Sequence, residues 1–231
     1  MQKEFVGKKL TDYITPGGQP VYSQEYVQFL RDLDTKHPGS VRAYIAQRGA
    51  QEDMLSADVD IQICGGSRGG SKSFSLLMET LNDINNPNFQ ALLLRKETKD
   101  LDSLINDSYK LYSDFGEYNR SLNDMTWNFR NGGWLKFSYY AGSYSAFKDR
   151  FQGRQYAYVG IDEITQCEYK KFKYLITVNR NASHIRSRFW GTCNPDPDSW
   201  VRKFIDWWID DDGYAIPERC GKVRYCYMDG D

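Results

Sequence analysis

Three short stretches of this 231-residue chain hold the residue types best suited to chemistry. The first is Gly65-Gly66-Ser67-Arg68-Gly69-Gly70-Ser71-Lys72-Ser73. Glycines let backbone N–H groups turn inward on an anion, a lysine reaches the outer phosphates, and a neighbouring hydroxyl can hold magnesium. In the frame G-x-x-x-x-G-K-[ST], Gly66 takes the first place and Lys72-Ser73 the last two. Ser71 stands where the second glycine belongs, so the loop is a variant. Gly66, Ser67, Arg68, Gly69, Gly70, Ser71, Lys72 and Ser73 are therefore expected to cradle a nucleotide's phosphates.

The second stretch is Tyr158-Val159-Gly160-Ile161-Asp162-Glu163. An apolar run of this kind is a buried strand, and the two acids emerge at its end. Asp162 is expected to hold magnesium, directly or through water, and Glu163 to polarise an attacking water. The third is Gly191-Thr192-Cys193-Asn194-Pro195. Thr192 and Asn194 there could feel a terminal phosphate and pass that contact along the chain. Open α/β sheets gather ligands at the carboxyl ends of their strands, and all three stretches end strands.

Phosphoryl transfer also wants a guanidinium, supplied in cis or in trans. Arg68 sits inside the loop, while Arg186 and Arg188 flank the strand before Thr192. Arg150 and Arg154 precede the Asp-Glu strand. A seven-residue strand would put those two about 20 Å from their own magnesium. The expectation is that Arg150 serves a neighbouring subunit's site.

The positioning elements follow from periodicity. Polar residues 1–22 read as an arm. Ser23 can cap a helix with Tyr26, Phe29, Leu30 and Leu33 on one face, and a short helix is expected near 40–48. Val59, Ile61 and Ile63 alternate as a strand into the glycine loop, and Phe74, Leu77, Met78 and Leu81 repeat at helical spacing. A strand over 91–94, a helix through Leu101 to Tyr112 and a hairpin about Asn131-Gly132-Gly133 come next. A strand over 155–161 precedes a helix through Tyr169 to Ile176. A strand over 186–192 precedes a helix with Val201, Phe204, Ile205 and Trp208 inward, and a last strand is expected over Val223–Tyr227. Alternation of this kind implies an α/β fold, a mostly parallel sheet covered on both faces.

Composition narrows the classes. Hydrophobic residues make up 40% and charged residues 26%, a globular balance. Mean hydropathy is -0.68, and neither a membrane-length apolar run nor a signal peptide is visible. The net charge of -1 excludes coating nucleic acid by bulk charge. Charge is uneven, however: residues 148–203 carry 11 basic and 6 acidic residues. Lys170, Lys171 and Lys173 on one helix, with Arg202 and Lys203 on another, are the candidate contacts to a phosphate backbone. The five cysteines match no zinc spacing and read as reduced thiols in or near the core.

Taken together, GGSRGGSKSF at 65–74, YVGIDEIT at 158–165 and GTCNPDPDSW at 191–200 resemble the large terminase subunit, the DNA-packaging ATPase of tailed bacteriophages. LLLRK at 92–96 and KDRFQGRQY at 148–156 add to the likeness. The resemblance implies a P-loop NTPase fold of the ASCE, RecA-like type, with an extra strand between the loop strand and the Asp-Glu strand. It implies ATP and Mg2+ as cofactors, and Lys72, Ser73, Asp162 and Glu163 as the Walker residues. Thr192-Cys193-Asn194 becomes the coupling motif, Gln51 an adenine contact, and an arginine upstream of Asp162 a residue acting in trans. The implied partners are double-stranded DNA, a portal protein, a small terminase subunit and further copies in a ring, taken as a pentamer. The setting would be the cytoplasm of an infected bacterium rather than the mature virion. Residues 1–50 are expected to form an arm and helical lid, and 51–231 the ATPase core. The nuclease domain usual in such proteins does not fit, so an excised ATPase domain or a split subunit is expected. A P-loop helicase and a non-hydrolysing assembly module are the other readings.

Overall fold

A computed structural model of the protein describes residues 4–5, 8–9, 24–36, 38–39, 42–66, 71–121, 124–182 and 185–226. Its main sheet has seven strands: β3 (Ile61–Cys64), β4 (Gln90–Arg95), β5 (Gly116–Asn119), β6 (Thr126–Phe129), β7 (Trp134–Tyr139), β8 (Tyr158–Ile161) and β9 (Arg188–Thr192). Two-residue strands β1 (Glu4–Phe5) and β2 (Lys8–Lys9) pair separately. The order across the main sheet is β3-β9-β8-β4-β7-β6-β5. From β3 to β7 all pairs are parallel, and β6 and β5 add an antiparallel margin. β9 is the strand inserted between the loop strand and the Asp-Glu strand.

Period-two alternation builds a core on each face. In β4, Ala91 and Leu93 join Leu76, Leu77, Leu104 and Tyr112 on one side, whereas Leu92 and Leu94 join Phe147, Val159, Ile161 and Phe172 on the other. The first face is covered by α3 (Lys72–Glu79) and α4 (Asp102–Tyr112), the second by α5 (Tyr144–Phe151) and α6 (Tyr169–Val178). The expected hairpin forms, with Trp127 opposite Leu135, and β7 continues into the sheet beside β4. Among the described residues no helix is long and apolar enough to cross a membrane.

The N-terminal region differs from expectation near residue 45. The helix α1 (Gln24–Lys36) is present and buries Leu30 and Leu33; Ser23 and the Tyr26 side chain lie outside the described residues. In place of a helix over 40–48 there is a single 3-10 turn, Arg42–Tyr44, followed by α2 (Ala50–Ser56). Gly49, with φ +91°, ends the turn that Ala50 leaves as helix, so the break falls where glycine is required. Leu30, Leu33, Tyr44 and Met54 share a core cluster with Leu76 and Leu93.

Beyond β9 one expectation holds in part, with Val201, Phe204 and Ile205 packed on the second core, and one fails. The helix after Ser199 runs only from Trp200 to Phe204 (α7) before a 3-10 turn, Asp206–Trp208. Val201 is buried, but Trp208 turns its indole N–H out to the Lys222 carbonyl, 2.9 Å away. Residues 223–226 form no strand: Val223 is 59% and Tyr225 97% exposed, with no ladder partner among the described residues; Tyr227 lies outside them. All five cysteines are free, but only Cys167 and Cys193 are buried, Cys64 is half-buried, and Cys220 and Cys226 are exposed rather than near the core.

Candidate nucleotide site

The carboxyl ends of β3, β9 and β8 lie side by side because β9 pairs with both neighbours, Cys64 opposite Thr192 and Ile161 opposite Gly191. A cleft of about 490 Å³ opens at this edge, lined by Lys72, Ser73, Asp162, Glu163, Thr192 and Asn194 among others. The three stretches singled out by residue type thus converge on one place. Gly66 has φ +152°, and Lys72, which lines the cleft, donates from Nζ to the Gly66 carbonyl at 2.9 Å. Ser67, Arg68, Gly69 and Gly70 lie outside the described residues.

Ser71 explains why this position usually carries glycine. Its backbone is left-handed, φ 55° and ψ 14°, just before α3 begins. A side chain is strained there, by about 1 kcal/mol. The serine gains one contact that glycine lacks: Ser71 Oγ donates to Gln47 Oε1 at 3.0 Å.

Asp162 is the centre of the polar network and is 3% exposed. Its Oδ1 accepts from Ser73 Oγ at 2.9 Å and from the Thr192 hydroxyl. Its Oδ2 accepts from Arg95 Nε at 2.6 Å, with the Arg95 Nη2 against the same oxygen. Glu163 has left-handed backbone, φ 57° and ψ 48°, and its carboxylate accepts from Gln166 Nε2. The Tyr140 hydroxyl donates to the Glu163 carbonyl at 3.1 Å, fixing that turn. Gly191 permits the approach of the segment that follows: a Cβ there would meet Ile164 Cδ1 at 2.7 Å. Burial pushes the Cys193 thiol up to about 11 and raises Cys64 as well, so neither is a poised nucleophile beside the loop.

Gln51 lies one cavity away. It is buried on α2, its Oε1 accepts the Gln47 backbone N–H at 2.8 Å and its Nε2 donates to the Ser71 carbonyl at 3.4 Å. The adjoining cavity of about 630 Å³ is lined by Arg31, Ile45, Gln47 and Gln51, and shares Ser71 and Phe74 with the first.

The arginines and lysines are less well foreseen. Arg150 was expected at the sheet edge opposite Asp162. Its side chain instead leans back along α5 and donates to the Tyr139 carbonyl at 2.6 Å, with the guanidinium 3.8 Å from the Tyr139 ring centre. Tyr139 ends β7 opposite Arg95, so the guanidinium belongs to the same edge as Asp162 but not to its cleft. Arg186 pairs with Asp58 and Asp60, and Arg188, at the start of β9, with Glu79 and Asp83. Both serve the amino edge.

Lys171 is corrected outright as an external contact. It is 3% exposed, and its Nζ donates to the Gly142 carbonyl at 2.8 Å and pairs with Glu168. One hundred degrees per residue turns it to the sheet while Lys170 and Lys173 face outward. Lys170 pairs with Glu168 at 2.9 Å, and Lys173 Nζ is 5.5 Å from the Tyr169 ring. Arg202 donates to the Asp210 carbonyl at 2.7 Å, and Lys203 is exposed.

Sequence reasoning missed Arg95 and Gln166 as site residues. Arg95 was visible as the one charge closing the apolar run of β4, the strand beside β8. Nothing in the spacing marked Gln166.

No curated protein sequence matches the chain. Among solved structures, the large terminase of a thermophilic bacteriophage is similar over 65% of this chain and 39% of its own, with 19% identity and a TM-score of 0.52. The HK97 bacteriophage large terminase gives 70% and 36%, 13% identity and 0.54. The Thermus phage P74-26 large terminase ATPase domain gives 75% and 75%, 12% identity and 0.53. The chain thus spans well under half the length of the first two, and at these identities the likeness is one of fold. Residues 63–227 match the family model described as terminase large subunit, T4likevirus-type, N-terminal, and the chain therefore belongs to the terminase large subunit family.

Proposed function

We propose that this chain is the ATP-hydrolysing motor domain of a DNA-packaging terminase. The observation that carries the reading is the convergence of Lys72, Ser73, Asp162, Glu163 and Thr192 on one cleft at the carboxyl edge of a parallel sheet. The geometry fits magnesium. A hydroxyl and a carboxylate meet at 2.9 Å, and among the described residues no three acids, histidines or cysteines are placed to hold a metal ion by themselves. That suits an ion that takes most of its ligands from phosphate and water. Ser73 and Asp162 would hold it, and when bound it neutralises charge on the transferring phosphoryl group.

The protein's own residues supply the rest. Backbone N–H groups of the loop and Lys72 bind the phosphates. Glu163, released from Gln166, orients water for attack. Thr192 joins the coupling strand to Asp162, and Asn194 stands at the cleft mouth. The cavity at Gln51 suits the base. The family resemblance, rather than distance from Asp162, assigns Arg150 to a neighbouring subunit's nucleotide in a homo-oligomeric ring, taken as a pentamer. The reading gives this chain the ATPase step, with residues 1–50 as arm and lid and 51–231 as core. It places the protein in the host bacterium's cytoplasm, working with a portal protein and a small terminase subunit on double-stranded DNA. Lys170, Lys173, Arg202 and Lys203 are the DNA contacts to test first, and affinity through them should fall with salt and ignore sequence.

The test is ATP turnover with and without DNA. Lys72→Ala should abolish hydrolysis, and Glu163→Gln should bind nucleotide without turning it over. Turnover persisting in Lys72→Ala sinks the assignment of the loop. Nucleotide binding without turnover by the wild type, with DNA and partner proteins present, supports the assembly-module reading instead.

A further inference from the structure

Arg95 is bound on both sides. Its Nε and Nη2 face Asp162 Oδ2, while its Nη1 donates to the Asp100 carbonyl at 2.6 Å and to Ser103 Oγ at 3.0 Å. The far anchor is itself built. Residues 97–100 close a capping box, in which Glu97 accepts from the backbone and Asp100 accepts from the Glu97 N–H at 3.1 Å. The near end meets a carboxylate that is 3% exposed and stands beyond the last residue of β8. A carboxylate can rotate about its bond to the chain. Here one oxygen is taken by a rigid guanidinium and the other is left for Ser73 and Thr192. A counter-charge alone would need neither the planar fork nor the second anchor.

We propose that Arg95 is a positioning residue for the magnesium site: it fixes the rotation of Asp162 so that Oδ1 faces the Ser73 and Thr192 hydroxyls, and it draws that rigidity from the start of α4. The inference rests on the reading of the cleft as a magnesium–nucleotide site. It differs from the loop and Asp-Glu assignments because Arg95 meets neither phosphate nor the attacking water; it acts through Asp162.

The experiment measures binding of a fluorescent ADP to the intact chain as magnesium is titrated, alongside ATP turnover and thermal unfolding. Arg95→Lys keeps the charge and loses the fork; Arg95→Met loses both. Both variants should need about tenfold more magnesium for half-maximal strengthening of binding, as for other groups that orient metal ligands. Binding in EDTA should be unchanged, and turnover should fall through kcat more than KM. Ser103→Ala, which leaves the ion pair and removes only an anchor, should shift the same curve in the same direction by a smaller factor. It keeps the test open if the Arg95 variants unfold. A magnesium requirement that is unchanged or lowered in folded variants overturns the proposal while the site reading stands. Wild-type protein whose nucleotide binding ignores magnesium overturns the site reading and this inference with it.

Discussion

Thr192 and Ser73 donate their hydroxyls to the same oxygen of Asp162, one from the end of β9 and one from the start of α3. Thr192 is 1% exposed, so water cannot replace its bond. Thr192→Val keeps shape and removes one hydrogen bond to a buried carboxylate. Turnover should fall about tenfold, the worth of one such bond, while nucleotide binding stays within about threefold. Steady-state kinetics and equilibrium binding on the same preparation check both halves. Full turnover in Thr192→Val would detach β9 from the chemistry.

Ser71 offers a test of strain. Glycine at a left-handed residue relieves about 1 kcal/mol. Losing the exposed bond to Gln47 gives back about 0.5 kcal/mol. Ser71→Gly should therefore stabilise the protein by about 0.5 kcal/mol in urea unfolding, and Ser71→Val should destabilise it by more than that. The reverse order would mean the hydroxyl link to Gln47 dominates.

Glu79 carries a pH signature. It is fully buried at the end of α3, and burial pushes its carboxyl up to about 7 despite Arg188 beside it. The pair is close without hydrogen-bond alignment between Oε1 and Nε. A raised acid binds its proton in the folded state first. Stability from this group is therefore present below about 4.5 and declines as pH rises to about 7. Glu79→Gln should flatten that slope in melting temperatures taken between pH 5 and pH 8; an unchanged slope would assign it to other groups.

The lysines of α6 separate by burial. Lys171→Ala removes the donor to the Gly142 carbonyl inside the protein and should cost about 2 kcal/mol. Lys170→Ala, at an exposed pair, should stay within about 0.5 kcal/mol. Chemical denaturation of the two variants decides. DNA-stimulated turnover should be read only on Lys170 and Lys173 variants, because loss in Lys171→Ala reports folding.

Arg150 needs a mixing experiment. Rings of Arg150→Ala subunits should bind ATP and not hydrolyse it, and adding Glu163→Gln subunits should restore part of the turnover at mixed interfaces. Normal hydrolysis by assembled Arg150→Ala subunits would leave the guanidinium to its present partner, Tyr139.

What the sequence made legible follows the strength of local signals. The apolar strand ending in Asp162-Glu163 and the hairpin at 131–133 each combine backbone chemistry with periodicity, and both stand where expected; of the loop, the flanking strand β3 and the helix starting at Lys72 do. The insertion of β9 between β3 and β8 follows from no local pattern; the resemblance alone implied it. α5 was missed because only Phe147 and Phe151 mark its buried face, one turn apart. Lys171 was misread because charge suggests solvent. The Gly142 carbonyl, distant in sequence, together with the Glu168 carboxylate makes its burial tolerable. Arg95 illustrates the same gap, since its partner lies on another strand.

The pairing of α3 with β9 has a mechanical consequence. They are fastened at both ends: Ser73 and Thr192 through Asp162 at one, Glu79 and Arg188 at the other. Two bars bolted at both ends can tilt together but cannot slide past each other. A displacement of Ser73 at the loop is thus delivered as rotation at the opposite rim of the sheet, where Arg188 also grips Asp83. That frame, built from contacts at both ends, ties the Asp162 end of α3 to the Arg188 rim of the sheet.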